Sequence, residues 1–274
     1  MSEAETAKPA ERLQQSLLAE LDKALKRLSP KRQLTHKDIH ESRKSLRRVR
    51  AALRFLRDEG DREAIELDGI LKRARARLSQ LRDAGSSIET IDRLRPQLAD
   101  AGLRKALSHW RRELNRHSGQ SLEQFAGSRA RILLHGRIKA ARARLQALAM
   151  PGEKRQRRAL ARSLRKARKA VAQVRGQHSA VRRHATRRRV RLLMLQLRWF
   201  EALSLARPKA IEPDRLERLT KALGNENDLA VLHRRARSHA PALPTGLTDW
   251  IEARRRATIS RNDRRTRTVL GRAR

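Results

Sequence analysis

The sequence has no cysteine, no tyrosine and only 2% aromatic residues. Without cysteine there is no disulfide, no cysteine-ligated zinc and no thiol nucleophile. With so few rings there is almost nothing for nucleobases to stack on. That counts against recognition of single strands or RNA loops by stacking, and leaves binding to duplex phosphates open. No apolar run approaches the roughly 18 residues that would span a membrane. The opening MSEAETAKPAER lacks the basic start and apolar core of a secretion signal, so a cytoplasmic protein is expected. Acids are scarce too: 29 Asp and Glu stand against 68 Lys and Arg, a formal net charge of +39. Self-repulsion at that level opposes compaction, so the natural partner is a polyanion that neutralises it. Nucleic acid, polyphosphate and an anionic membrane surface are the candidate classes. Enzyme signals are missing as well. There is no glycine-rich phosphate loop, no Ser/His/Asp pattern and no paired-carboxylate site, so neither catalysis nor a cofactor is expected.

Strand signals are weak, and the abundant Ala, Leu and Arg all favour helix. The sequence predicts an all-α protein. Residues 1–8 are polar and expected to be loose. Pro9 opens a helix to about Ser29 with Leu13, Leu17, Leu21, Leu25 and Leu28 at helical spacing, closed by Ser29-Pro30. A second runs from His36 to Glu59-Gly60, and a third from about Arg62 to Arg82. A break at 83–87 follows, with Ser86 or Ser87 as cap of the next helix. Further helices are expected at 102–117, at 121–148 with Ser121 as N-cap, and at 153–175. Then come 178–206, ending at Pro208; Pro213 to Leu223-Gly224; Asn227 or Asp228 to His239; and Thr248 onward into a frayed basic tail. Met150-Pro151-Gly152 divides the chain into 1–150 and 151–274.

The second helix, HKDIHESRKSLRRVRAALRFLR, carries two adjoining stripes. At about 100° per residue, His36, Arg43, Arg47, Arg50 and Arg54 fall on the side of His40. Ile39, Leu46, Val49, Leu53 and Leu56 form the neighbouring apolar strip. A column of guanidiniums one turn apart suits a repeating anion, because arginine donates in two prongs to phosphate oxygens and keeps its charge. Arg48 points about 80° away from His40. His36 and His40 have the i, i+4 spacing that can hold zinc, but no third ligand accompanies them and the arginines would repel a cation.

The spacing recurs. His184, Arg187, Arg191 and Arg198 repeat His40, Arg43, Arg47 and Arg54, 144 residues later (184 − 40). LSQLRDAGSSI from Leu78 and LGNENDLAVL from Leu223 form a second marker, with Asp83 and Asp228 145 residues apart (228 − 83). Two markers at nearly one offset point to an internal duplication. The pattern H-x-x-R-x-x-x-R-R-x-R at His40, and the second marker's likeness to LG-x-x-x-D-L-x-V-L, resemble the CHAD domain, the histidine-marked α-helical family that binds inorganic polyphosphate. The resemblance implies two short helical bundles related by a pseudo-twofold axis. Their marked helices would line one basic groove or pore for polyphosphate, in a cytoplasmic protein associated with polyphosphate granules.

By that resemblance, His40, Arg43, Arg47, Arg50 and Arg54 bind phosphate in the first half, and His184, Arg187, Arg191 and Arg198 in the second. Arg73 and Arg218, five residues before Leu78 and Leu223, are candidates for the opposite wall, or for a solvated face. The histidines either touch phosphate or pack at the seam and donate a hydrogen bond. The second stripe departs from the family where Leu192 and Met194 replace the arginines, so Arg182, Arg183, Arg188 and Arg189 are expected to compensate. Asp83 and Asp228 read as helix caps, not as catalytic groups. No metal, no membrane and no cofactor are expected. Sequence-independent DNA binding by the same charge is the alternative.

Overall fold

The computed structural model describes residues 9–206, 211–239 and 241–270, apart from the side chain of Asp83. Helices joined by short turns and loops make up the described residues, which contain no strand. Among the described residues the helices are, in chain order, α1 (Pro9–Leu28), α2 (His36–Arg57), α3 (Arg62–Leu94), α4 (Ala101–Ala126), α5 (Arg129–Ala147), α6 (Glu153–Val174), α7 (Ala180–Ala202), α8 (Pro213–Arg237) and α9 (Thr245–Leu270), with a 3₁₀ turn at Arg95–Gln97. Residues 1–8, Pro208 and the last four residues, on which some expectations fell, lie outside the described residues.

Local chemistry fixes several ends. A capping box starts α2: the Thr35 hydroxyl accepts from the Asp38 amide at 3.1 Å, and the Asp38 carboxylate accepts from the Thr35 amide at 3.0 Å. Gly60, at φ +88°, turns the chain after α2, and Gly176, at φ +70°, does so between α6 and α7. Pro213 occupies the first turn of α8, where no amide is needed. The carbonyls at the end of α1 are met by a buried cation. Arg131 of α5 donates to Leu28, Ser29 and Arg32 at 3.3, 2.5 and 2.7 Å, and to Ala126 at the end of α4 at 3.2 Å.

Four expected boundaries are corrected. No break occurs at 83–87, because α3 runs through to Leu94. The expected split at Leu223-Gly224 and Asn227 is equally absent, since both lie inside α8. The helix after Pro96 passes Gly119 and Ser121 and ends at Ala126, so Ser128, not Ser121, precedes the next one. The second marked helix stops at Ala202, where Ser204 takes a φ of 55°.

The chain forms two compact units. One contains the described residues within Met1–Arg82, Gly119–Arg162 and Leu195–Arg207, and the other those within Asp83–Ser118, Ser163–Met194 and Pro208–Arg274. These are divisions in space, each drawn from separate stretches of the chain, whereas the expected cut at residue 150 is a division in sequence. In the first unit Leu13, Leu17, Leu21 and Leu28 of α1 are fully buried, as are Leu46, Val49 and Phe55 of α2, Leu67, Leu71 and Leu78 of α3, and Ile138 and Leu145 of α5. Each such side chain contributes about 1.5–3 kcal/mol on burial. Phe55 meets Phe200 edge to face, with ring centroids 6.0 Å apart. The apolar strip expected on α2 therefore faces the core, whereas Ile65 of α3 stays exposed. In the second unit Ile91, Leu94, Leu107, Trp110, Leu229, Leu232, Leu247 and Ile251 form the core, drawn from α3, α4, α8 and α9.

Candidate functional site

In the first unit α2 lies antiparallel to the first part of α3, and the column of basic side chains falls along that seam. At the head of the column, His40 Nδ1 accepts from Arg82 Nε at 2.7 Å. An imidazole nitrogen that accepts must be bare, so the ring proton sits on Nε2, 3.8 Å from Glu41 Oε1. Arg43 Nη2 donates to the Ser79 hydroxyl at 3.1 Å, and Arg47 is half-buried one turn further along. The head thus gathers His40, Arg43, Arg47 and Arg82, and the two contacts just described go to an imidazole and a hydroxyl.

Further down, the column meets acid. Arg50 Nε and Nη2 reach the two oxygens of Asp68 at 2.6 and 3.4 Å, and Arg57 Nη1 reaches the same carboxylate at 2.5 Å. Asp68 is 2% exposed. Burial alone would raise its pKa, but hydrogen bonds and charge from Arg50, and then from Arg57, outweigh it and hold the carboxyl below its ordinary value. Arg54 stands 3.9 Å from Asp58. Burial, then the charge of Arg57, lowers its pKa, although a guanidinium stays charged at neutral pH. Arg50 is thus engaged by a buried counter-ion. Arg73 is exposed on α3.

The second unit has the same arrangement on α7 and α8. His184 Nδ1 is 2.5 Å from Asn227 Oδ1, and Asn227 Nδ2 lies 3.5 Å from Asp228 Oδ1, which turns the amide oxygen towards the ring. His184 therefore donates through Nδ1, the opposite tautomer to His40. Burial lowers its pKa first; the Asn227 bond opposes this, and the charges of Arg187, Arg188 and Arg191 lower it further. Arg187 Nη2 is 3.9 Å from Asp228 Oδ1, and burial lowers its pKa too. Arg187 and Arg191 both lay a guanidinium over Gly224 of α8. Asp228 is therefore a counter-charge in mid-helix, not the expected cap. Arg218 is exposed on α8.

Two residues of the second group serve elsewhere. Arg198 belongs to the first unit and pairs with Glu201 at 2.8 Å. Arg183, expected to reinforce the column, is 5% exposed and binds Glu226 and Asp263 at 2.5 and 2.8 Å, so it holds α7 to α8 and α9. Sequence reasoning passed over Arg82, Ser79, Asn227 and Gly224 as contact partners. All four lie in the second marker, and the signal was there. His40 to Arg82 and His184 to Asn227 span 42 and 43 residues, and Arg43 to Ser79 and Arg187 to Gly224 span 36 and 37. In each unit the first marker packs on the second in one register.

Chemically, the two faces offer repeated guanidinium donors and an imidazole each. Among the described residues no group of three or more His, Asp or Glu is gathered as a metal site requires. No described helix is long and apolar enough to cross a membrane. A comparison with family models matches residues 15–237 to the CHAD domain. A comparison with curated proteins finds no match.

Proposed function

The chain belongs to the CHAD domain family, and from that premise we propose that it binds inorganic polyphosphate without chemical turnover. One observation carries this reading: in each unit a His-x-x-Arg-x-x-x-Arg column sits on the second marker in the same register. That repeated packing also supports an origin by internal duplication, with two pseudo-twofold-related bundles, and granule association in the cytoplasm follows as part of the same reading.

Polyphosphate fits for a physical reason. Successive basic groups on α2 and α7 rise by about 5 Å per turn, and a flexible chain of phosphates can follow such a column. Its charge repeats without bases, so the shortage of aromatic rings costs nothing. His40 presents a neutral Nε2–H donor, and Arg43 is held by Ser79 at its side, so both are oriented before the ligand arrives.

Competition between long polyphosphate and duplex DNA at near-physiological salt tests the reading. Arg47→Ala and Arg191→Ala should each weaken polyphosphate binding roughly ten- to a hundredfold, since a hydrogen bond to a charged group is worth about 1.5–3 kcal/mol. Arg264→Ala and Arg265→Ala, on the exposed side of α9, should matter much less. Equal losses for all four, with DNA competing at equal charge, would favour a DNA-binding protein acting through bulk charge.

A further inference from the structure

Glycine inside a helix is unfavourable relative to alanine. At Gly224 the backbone gives no excuse for it, because the positive-φ glycines are Gly60 and Gly176, and Gly224 lies within α8. Space does. A Cβ built there would stand 3.5 Å from Nη2 of Arg187 and 3.7 Å from Nη2 of Arg191. At the helical glycines 85, 119 and 136 the same atom would meet nothing within 4 Å. The absence of a side chain at 224 is matched by two guanidiniums that lie across the gap.

The corresponding place on α3 is Ser79. Its hydroxyl donates to the Arg75 carbonyl at 2.8 Å, which leaves its lone pairs to accept from Arg43 Nη2 at 3.1 Å. Both helices therefore place a small residue opposite the first arginine of the column. One offers a hydroxyl that holds Arg43, and the other a bare backbone on which Arg187 and Arg191 rest side by side. We propose that Ser79 and Gly224 are positioning residues of the anion site, their small size setting where the Arg43, Arg187 and Arg191 guanidiniums lie. The proposal rests on the polyphosphate reading and adds to it two residues that carry no charge.

Size is the variable to test. At 3.5 and 3.7 Å an alanine Cβ makes ordinary van der Waals contact and fits, whereas the branched end of leucine would enter the volume of the guanidiniums and push them aside. Polyphosphate affinity and thermal unfolding would be measured for Gly224→Ala, Gly224→Leu, Ser79→Ala and Ser79→Leu in the full chain. Gly224→Ala should bind within about twofold of wild type and Ser79→Ala within roughly threefold, because it loses one neutral acceptor but no space. Each leucine variant should fold and lose roughly tenfold or more, the loss shrinking as salt rises. Folded leucine variants that bind like their alanine counterparts would overturn the proposal. So would leucine variants that do not fold, since the atoms to be displaced at 224 are the ends of flexible side chains. If wild type itself fails to bind polyphosphate, the functional reading falls first, and the four variants would then show no graded effect to explain.

Discussion

Arg43 and Arg50 lie two turns apart on one helix face, yet their neighbours give them different work. Arg43 meets a hydroxyl, while Arg50 shares Asp68 with Arg57 in a site 2% exposed. Removing one partner of a buried ion pair typically costs about 3–5 kcal/mol, so Arg50 belongs to folding as much as to any ligand. The periodicity of α2 showed that the residues share a face; it could not show which acid on α3 faces them, because that depends on the packing of two helices. The histidines differ in the same way. His40 accepts through Nδ1 and already carries a donor on Nε2, whereas His184 donates through Nδ1 and keeps its other nitrogen bare. Its pKa lies below the ordinary value of about 6.5, through burial and the charges of Arg187, Arg188 and Arg191. In the free protein the neutral ring is favoured, so its contribution to stability is present above that ordinary value and declines as pH falls below it. A phosphate beside the ring raises the pKa, and binding then takes up a proton. Polyphosphate affinity should therefore rise as pH falls from about 7.5 to about 5.5, and His184→Gln should flatten that rise. Titration calorimetry in buffers of different ionisation enthalpy would show the proton uptake directly; a flat profile in wild type would remove His184 from the site.

Helix existence was legible in the sequence, and helix length was not. The leucine spacing of α1 and the apolar strip of α2 predicted both helices to within a few residues. Asp83-Ala-Gly-Ser-Ser and Leu223-Gly-Asn looked like breaks because Gly, Ser and Asn are weak helix formers. Burial overrides that preference. Ser87 is 1% exposed and accepts from Arg235 Nη1 at 3.3 Å, and Leu223 and Leu229 on either side of the Asn are buried, so tertiary contacts hold the weak segments helical. The two glycines inside expected gaps or ends, Gly85 in α3 and Gly119 in α4, give a test. Each is helical, and a Cβ on either meets nothing within 4 Å. Gly85→Ala and Gly119→Ala should each stabilise the protein by about 0.8–1 kcal/mol. Chemical denaturation with unchanged slope would check this, and a loss of stability at either site would mean a non-helical backbone there.

At the scale of the whole molecule, a net charge of +39 sets the terms for both stability and binding. Some of the charge is used internally, as Arg131 and Arg183 show by holding carbonyls and carboxylates in the interior. The remainder repels itself, and salt weakens that repulsion over a Debye length of about 8–10 Å. The free protein should therefore melt at a higher temperature as salt is added. A long polyphosphate should act in the opposite sense with salt. On the proposed reading it binds only the folded arrangement of columns, so at a concentration of 100 Kd it should add about 2.7 kcal/mol by mass action. For a protein of this size that corresponds to a rise of roughly 5–10 °C in Tm. Because the contacts are charged, the rise should shrink as salt increases, while the Tm of the free protein climbs towards it. Orthophosphate at the same phosphate concentration should give much less, since only a linked chain turns successive weak contacts into one strong one. Melting curves at low and high salt, with long polyphosphate, with orthophosphate and with neither, would follow both trends together. An equal shift from orthophosphate would mean isolated anion sites and not a column, and an unchanged curve with saturating polyphosphate would mean that the folded chain presents no preformed site at all.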